Sequence, residues 1–110
     1  MAQAINIFKT VTYNVTNVSA TAYTAPIGYS AVVLLAQVSN TTLNTITISA
    51  DHKRSTTLTN ILTNAPLPKS DAISLLSGKL ILQTGDGINV SASVNNAGQM
   101  ILSILETANP

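Results

Sequence analysis

Gly85-Asp86-Gly87-Ile88-Asn89-Val90-Ser91-Ala92-Ser93-Val94 is the stretch whose reading decides the fold. Glycine adopts positive φ without a steric cost and aspartate can bond its own backbone, so the first three residues are the strongest turn signal in the chain and are expected to form a hairpin turn. The seven that follow place Ile88, Val90, Ala92 and Val94 in alternation with Asn89, Ser91 and Ser93, the period of a half-buried strand. Turn followed by alternation is the grammar of an antiparallel β protein.

The same grammar recurs on both sides. Downstream, Asn95 to Gly98 turns into Met100-Ile101-Leu102-Ser103-Ile104-Leu105, which is expected to close a hairpin with the preceding strand. Upstream, Ser70 to Leu76 and Lys79 to Thr84 flank Ser77 and Gly78 as two more strands. Thr45-Ile46-Thr47-Ile48-Ser49 alternates with Ile46 and Ile48 inward. The run Ala31-Val32-Val33-Leu34-Leu35-Ala36, within Ser30 to Val38, is continuous enough for a central strand covered on both faces. Ser55 to Asn64 has four threonines and two asparagines, which lower helix propensity, and is expected to be a strand. Pro66 and Pro68 cannot donate to a ladder, so Ala65 to Pro68 marks a crossing or an edge. At the N-terminus, Ile7, Val11, Tyr13 and Val15 share one parity and open the sheet. About eight antiparallel strands with a turn roughly every ten residues predict an all-β chain, a single β-sandwich of jelly-roll or immunoglobulin-like topology.

Composition bounds what such a domain can do. The 110 residues fit one domain, 45% of them are hydrophobic, and roughly a third are Ser, Thr or Asn. Only 8% are charged, with a net charge of +1 and no cysteine. The five basic residues, Lys9, Lys53, Arg54, Lys69 and Lys79, are scattered and form no stripe for nucleic acid. No basic segment with a sustained apolar core opens the chain and no apolar run spans a bilayer, so neither export by a signal peptide nor membrane insertion is expected. Uncharged hydroxyls and amides can be buried against another protein if they find partners, whereas buried charges carry a larger desolvation cost. The composition favours an assembly subunit over a free enzyme.

Chemistry-bearing residues are few. The four acids, Asp51, Asp71, Asp86 and Glu106, are widely spaced, and His52 is the single histidine, so no cofactor, metal or catalytic set is expected. Asp51-His52-Lys53-Arg54 is the one place where an acid, an imidazole and cations meet in sequence, and it reads as a solvated loop. The Asn-x-Ser/Thr tripeptides at Asn14, Asn17, Asn40 and Asn89 follow from the composition. Phe8, Tyr13, Tyr23 and Tyr29 are the only aromatics, and they suit strand ends or a contact surface. With the apolar N-terminal residues they give the candidate interface: Ile5, Ile7, Phe8, Tyr13, Tyr23 and Tyr29. A carbohydrate-binding module using Tyr23 or Tyr29 is the alternative from another class.

In order, the chain carries Tyr23-Thr24-Ala25-Pro26 with Gly28, an apolar strand to Val38-Ser39-Asn40, and Ala65-Pro66-Leu67-Pro68. It continues with Gly78-Lys79-Leu80-Ile81-Leu82-Gln83-Thr84-Gly85-Asp86, Val90-Ser91-Ala92 and Leu102-Ser103-Ile104-Leu105-Glu106. This order resembles the small β-sandwich virion proteins of tailed bacteriophages, including those of cyanobacteria, over Thr21 to Thr107. Asp51 to Arg54 and Thr56 to Asn60 stand where the resemblance leads one to expect a more aromatic middle strand. The resemblance implies a capsid decoration or cement protein, located in the virion and assembled in the host cytoplasm. It would bind the major capsid protein at local symmetry axes, as a homo-oligomer, trimer or dimer. A neck, tail or baseplate component is the nearest alternative. Residues 1–20 lie outside the resemblance, as a strand or arm that could reach a neighbour, with the sandwich domain over 21–110.

Overall fold

The computed structural model describes residues 6–108, and these form strands and turns with no helix. The strands are β1 (Asn6–Val15), β2 (Ala20–Thr24), β3 (Tyr29–Asn40), β4 (Ile46–Arg54), β5 (Thr57–Leu67), β6 (Ala72–Ser74), β7 (Leu80–Leu82), β8 (Gly87–Ala92) and β9 (Gly98–Ala108). Every pairing is antiparallel. The first sheet runs β1-β9-β3-β6, with β7 also on β3, and the second runs β2-β8-β4-β5. Ile5, one of the candidate interface residues, lies outside the described residues.

β6 pairs with Gln37–Ser39 and β7 with Ala31–Val33, so the two occupy opposite ends of one edge of β3. Counted as one interrupted strand, they leave eight positions, ordered first-eighth-third-sixth in one sheet and second-seventh-fourth-fifth in the other. That order is the jelly roll, and it excludes the immunoglobulin-like alternative.

The topology corrects three local expectations. Residues 88–94 and 98–105 do not form a hairpin, because β8 belongs to the second sheet and β9 to the first. The Gly85-Asp86-Gly87 turn likewise carries the chain from β7 across to β8 instead of closing a hairpin. Neighbouring apolar strands are better buried by facing each other across the core than by lying side by side, and turn chemistry alone cannot distinguish the two. Asp51 to Arg54, read as a solvated loop, is instead the end of β4, paired with both β5 and β8 up to Lys53.

Other expectations hold. Tyr29–Asn40 is flanked by strands on both sides, Ile46 and Ile48 are buried, and Pro66 lies in the edge strand β5. The core is built from one face of each sheet: Ala31, Val33, Ala36, Val38, Met100, Leu102 and Ile104 meet Ile46, Ile48, Ala50, Ile88 and Val90. Residues 6–15, expected as a strand or arm beyond the sandwich proper, pair along their whole length with β9.

Two details, one polar and one steric, fix the far end of the sandwich. The Asn40 side chain, 5% exposed, donates to the Leu67 carbonyl at 3.0 Å and the Asn44 carbonyl at 2.8 Å, and accepts from the Thr42 amide at 2.8 Å. One side chain thereby ties β3 to the second sheet. Gly98 starts β9 against Val38, where a Cβ would come within 2.9 Å of a Val38 methyl carbon. Gly98→Ala is therefore expected to lower unfolding free energy by about 1–3 kcal/mol through overpacking, read as a lower urea midpoint at unchanged slope.

Candidate interaction surface and buried acids

Residues opposite each other in an antiparallel ladder share a face, so the register assigns every side chain of the first sheet. Phe8 faces Leu105, Leu105 faces Val32, and Val32 faces Ile81. These four form one apolar row across β1, β9, β3 and β7 on the side away from the core. Phe8 is 75% and Ile81 64% exposed, and Leu105 and Val32 are half-buried. A register shift between Val33 and Leu35 turns two successive leucines, Leu34 and Leu35, to the surface of β3. Ile101 adds a further apolar group two rows from Leu105 on the same face, opposite Thr12 and Gln37. Hydroxyls and amides fill the positions between: Thr10, Thr12, Asn14, Ser103, Gln99, Gln37 and Ser39. A hollow of about 340 Å³ lies between Phe8, Thr10, Leu34 and Ser103, and one of about 500 Å³ is lined by Thr12, Asn14, Gln99 and Ile101.

The second sheet differs. Its outward register carries Thr21, Asn89, Asp51 and Asn60 in one row and Ser91 with Ser49 in the next. Thr21 donates to Asn89 Oδ1 at 2.7 Å. The continuous apolar runs at 31–36 and 100–105 were the sequence signal for the first sheet's outer face. They are neighbours in the sheet, and the second apolar side, expected to be covered for 31–36, is open among the described residues.

The candidate interface residues do not gather on this face. Phe8 is on it. Ile7 and Tyr13 have the opposite parity and point toward the core side, opposite Glu106 and Met100. Tyr23 is in the second sheet, and its hydroxyl donates to Glu106 of the first sheet at 2.5 Å. Tyr29 opens β3, where its carbonyl accepts from the Thr84 hydroxyl.

The charged groups concentrate instead at the end of the sandwich formed by the β2–β3, β4–β5 and β7–β8 connections. Asp86 is 2% exposed. It accepts from the Gln83 amide at 3.0 Å, from Arg54 Nε at 3.0 Å and Nη2 at 2.7 Å, and lies 3.2 Å from His52 Nε2. His52 and Arg54 are two apart on β4 and so share the face that meets the turn. The Ala25 amide donates to the Asp86 carbonyl at 2.9 Å and the Gly85 amide to the Ala25 carbonyl at 3.0 Å, with Gly85 at φ +87°. The Arg54 guanidinium above all, with the Gln83 amide and His52, holds the Asp86 carboxyl well below the usual carboxylate range, against the opposing effect of burial. Glu106, also 2% exposed, sits between the Tyr23 hydroxyl and Lys9 Nζ, 3.1 Å away. Burial, then the bond and charge of Glu106, push the Tyr23 phenol well above its ordinary value.

Both buried acids therefore act as ties. The Asp86 carboxylate, held ionised this firmly, is a poor general base, and both its oxygens are already engaged. Among the described residues, no three His, Cys, Asp or Glu converge as metal ligands. Known protein families, curated proteins and solved structures were all compared with the chain, and none matches it.

Asp86→Ala is expected to lower unfolding free energy by about 2 kcal/mol, since its hydrogen bonds involve a charged acceptor. The sign with pH follows from the depressed carboxyl. Its contribution is full above the unfolded value of about 3.9 and is lost as pH falls through the folded value. Urea midpoints near neutrality and near pH 3 are expected to differ less in Asp86→Asn than in the wild type. For Tyr23 the direction reverses, and its contribution is lost as pH rises. Alkaline absorbance titration is expected to show one of the three tyrosines ionising late, a component that Tyr23→Phe removes.

Proposed function

We propose that this chain is a non-enzymatic structural subunit of a larger protein assembly, and within that class a bacteriophage capsid decoration or cement protein held on the major capsid protein. The observation that carries the assembly reading is the open apolar row Phe8-Leu105-Val32-Ile81, set among uncharged polar side chains on one sheet. Large apolar groups aligned across four strands lose water when covered by protein, and the surrounding hydroxyls and amides can be buried with partners at modest cost. Asp86 and Glu106 support the same reading, because each is engaged in joining the sheets. The virion assignment rests on the ordered resemblance from Thr21 to Thr107.

Quantitative mass spectrometry of purified virus particles from the source tests it by counting this chain against the major capsid protein. A copy number near that of the capsid lattice is expected. A small number matching a six- or twelve-fold ring would move the chain to the neck or tail, and absence from particles would overturn the virion assignment.

A further inference from the structure

Resting on the reading of the chain as an assembly subunit, we propose that the outer face of the first sheet is covered by a second copy of this chain, docked face to face about a two-fold axis. Area is the first argument. Four strand positions about 4.8 Å apart and an eleven-residue β9 rising about 3.4 Å per residue make a face of roughly 700 Å². Two such faces bury about 1,400 Å² together, within the range of stable specific interfaces. The face is thus large enough for one sandwich to cover another without help from other surfaces.

Charge is the second argument. In a two-fold contact a residue on the axis meets its own copy and every other residue meets a different one, so a face without charge places no like charges together in any register. The outward positions of β1, β3, β7 and β9 hold only apolar, hydroxyl and amide side chains. Lys9 has the opposite parity and turns to Glu106. Asp51 and Lys53 lie on the other sheet, and Lys79 stands at the rim, before β7 begins. The face can therefore meet its own copy without a like-charge clash.

Relief is the third. Phe8 projects beside the hollow bounded by Thr10, Leu34 and Ser103, so the face carries both a knob and a depression. Two sheets meeting this way pack face to face, as the chain's own two sheets do around the core.

Sedimentation equilibrium of the full chain, wild type beside Ile81→Glu, Phe8→Glu and the control Thr47→Glu on the second sheet, tests the proposal. The first two residues are mostly exposed, so the fold is expected to survive, and circular dichroism checks that it does. If either glutamate variant fails to fold, Ile81→Thr keeps the β-branch and removes only apolar contact. A wild-type dimer is expected, weakened by at least about a hundredfold in both glutamate variants because a carboxylate would be desolvated without a partner, and unchanged in Thr47→Glu. Ile81 lies on the edge of the sheet opposite β1, so a dimer formed by pairing two β1 edges would persist in Ile81→Glu and overturn the proposal. A wild-type monomer at about 100 µM, or a trimer, would overturn it as well. A monomer that is nonetheless found in virus particles would sink the dimer alone, and a dimer absent from particles would sink the virion assignment alone.

Discussion

The structure depends on β9 being paired along both edges. The last strand of the chain lies between the first strand, β1, and the third, β3, through ladders that run its full length. Without it the first sheet would be two separate pieces, and Met100, Leu102 and Ile104 could not complete the core. The same strand also sets the outer surface, because strict alternation sends Ile101 and Leu105 to the opposite side whenever their neighbours are buried. One pairing therefore produces both the hydrophobic core and the exposed apolar row.

That pairing joins residues nearly a whole chain apart, and such contacts must overcome the entropy of closing a long loop. Asp86 and Glu106 act at the places where closure is completed. Asp86 binds the β7–β8 turn to the end of β4, and Glu106, on β9, meets Tyr23 of the second sheet and Lys9 of β1. Placing these charges between the sheets at one end, where Arg54 and Lys9 remain partly open to water, limits the desolvation cost. At the other end the neutral side chain of Asn40 makes the equivalent tie. The broad outer face of the first sheet is left free of charge, the property on which its proposed role in assembly turns.

Period-two alternation made the strands legible. Thr45 to Ser49 and Ile88 to Ala92 are strands with the inward residues that the pattern requires, and the central place of β3 could be read from its unbroken apolar run. The same run was ambiguous about its second face. Residues 31–36 looked covered on both sides, yet they lie next to 100–105 and share with them one side that no described residue covers. Phe8 was marked by its rarity, but Ile81, Val32 and Leu105 were not, because their alignment into a row exists only once the register is set. His52 and Arg54 were visible as a charged cluster, and Asp86 as a turn residue. Their contact is between positions more than thirty residues apart, and no local spacing encodes it.

The sequence by itself determined an all-β chain of about eight strand positions, a single apolar core, and few charges available for chemistry. Those properties follow from side-chain period, turn residues and composition, which act over a few neighbouring positions. Only the tertiary structure decided that successive strands cross between sheets, that Asp86 and Glu106 are buried ties, and that one sheet keeps an open apolar face. These depend on which strands pair and in what register, and that choice is made by burying the whole set of apolar faces at once.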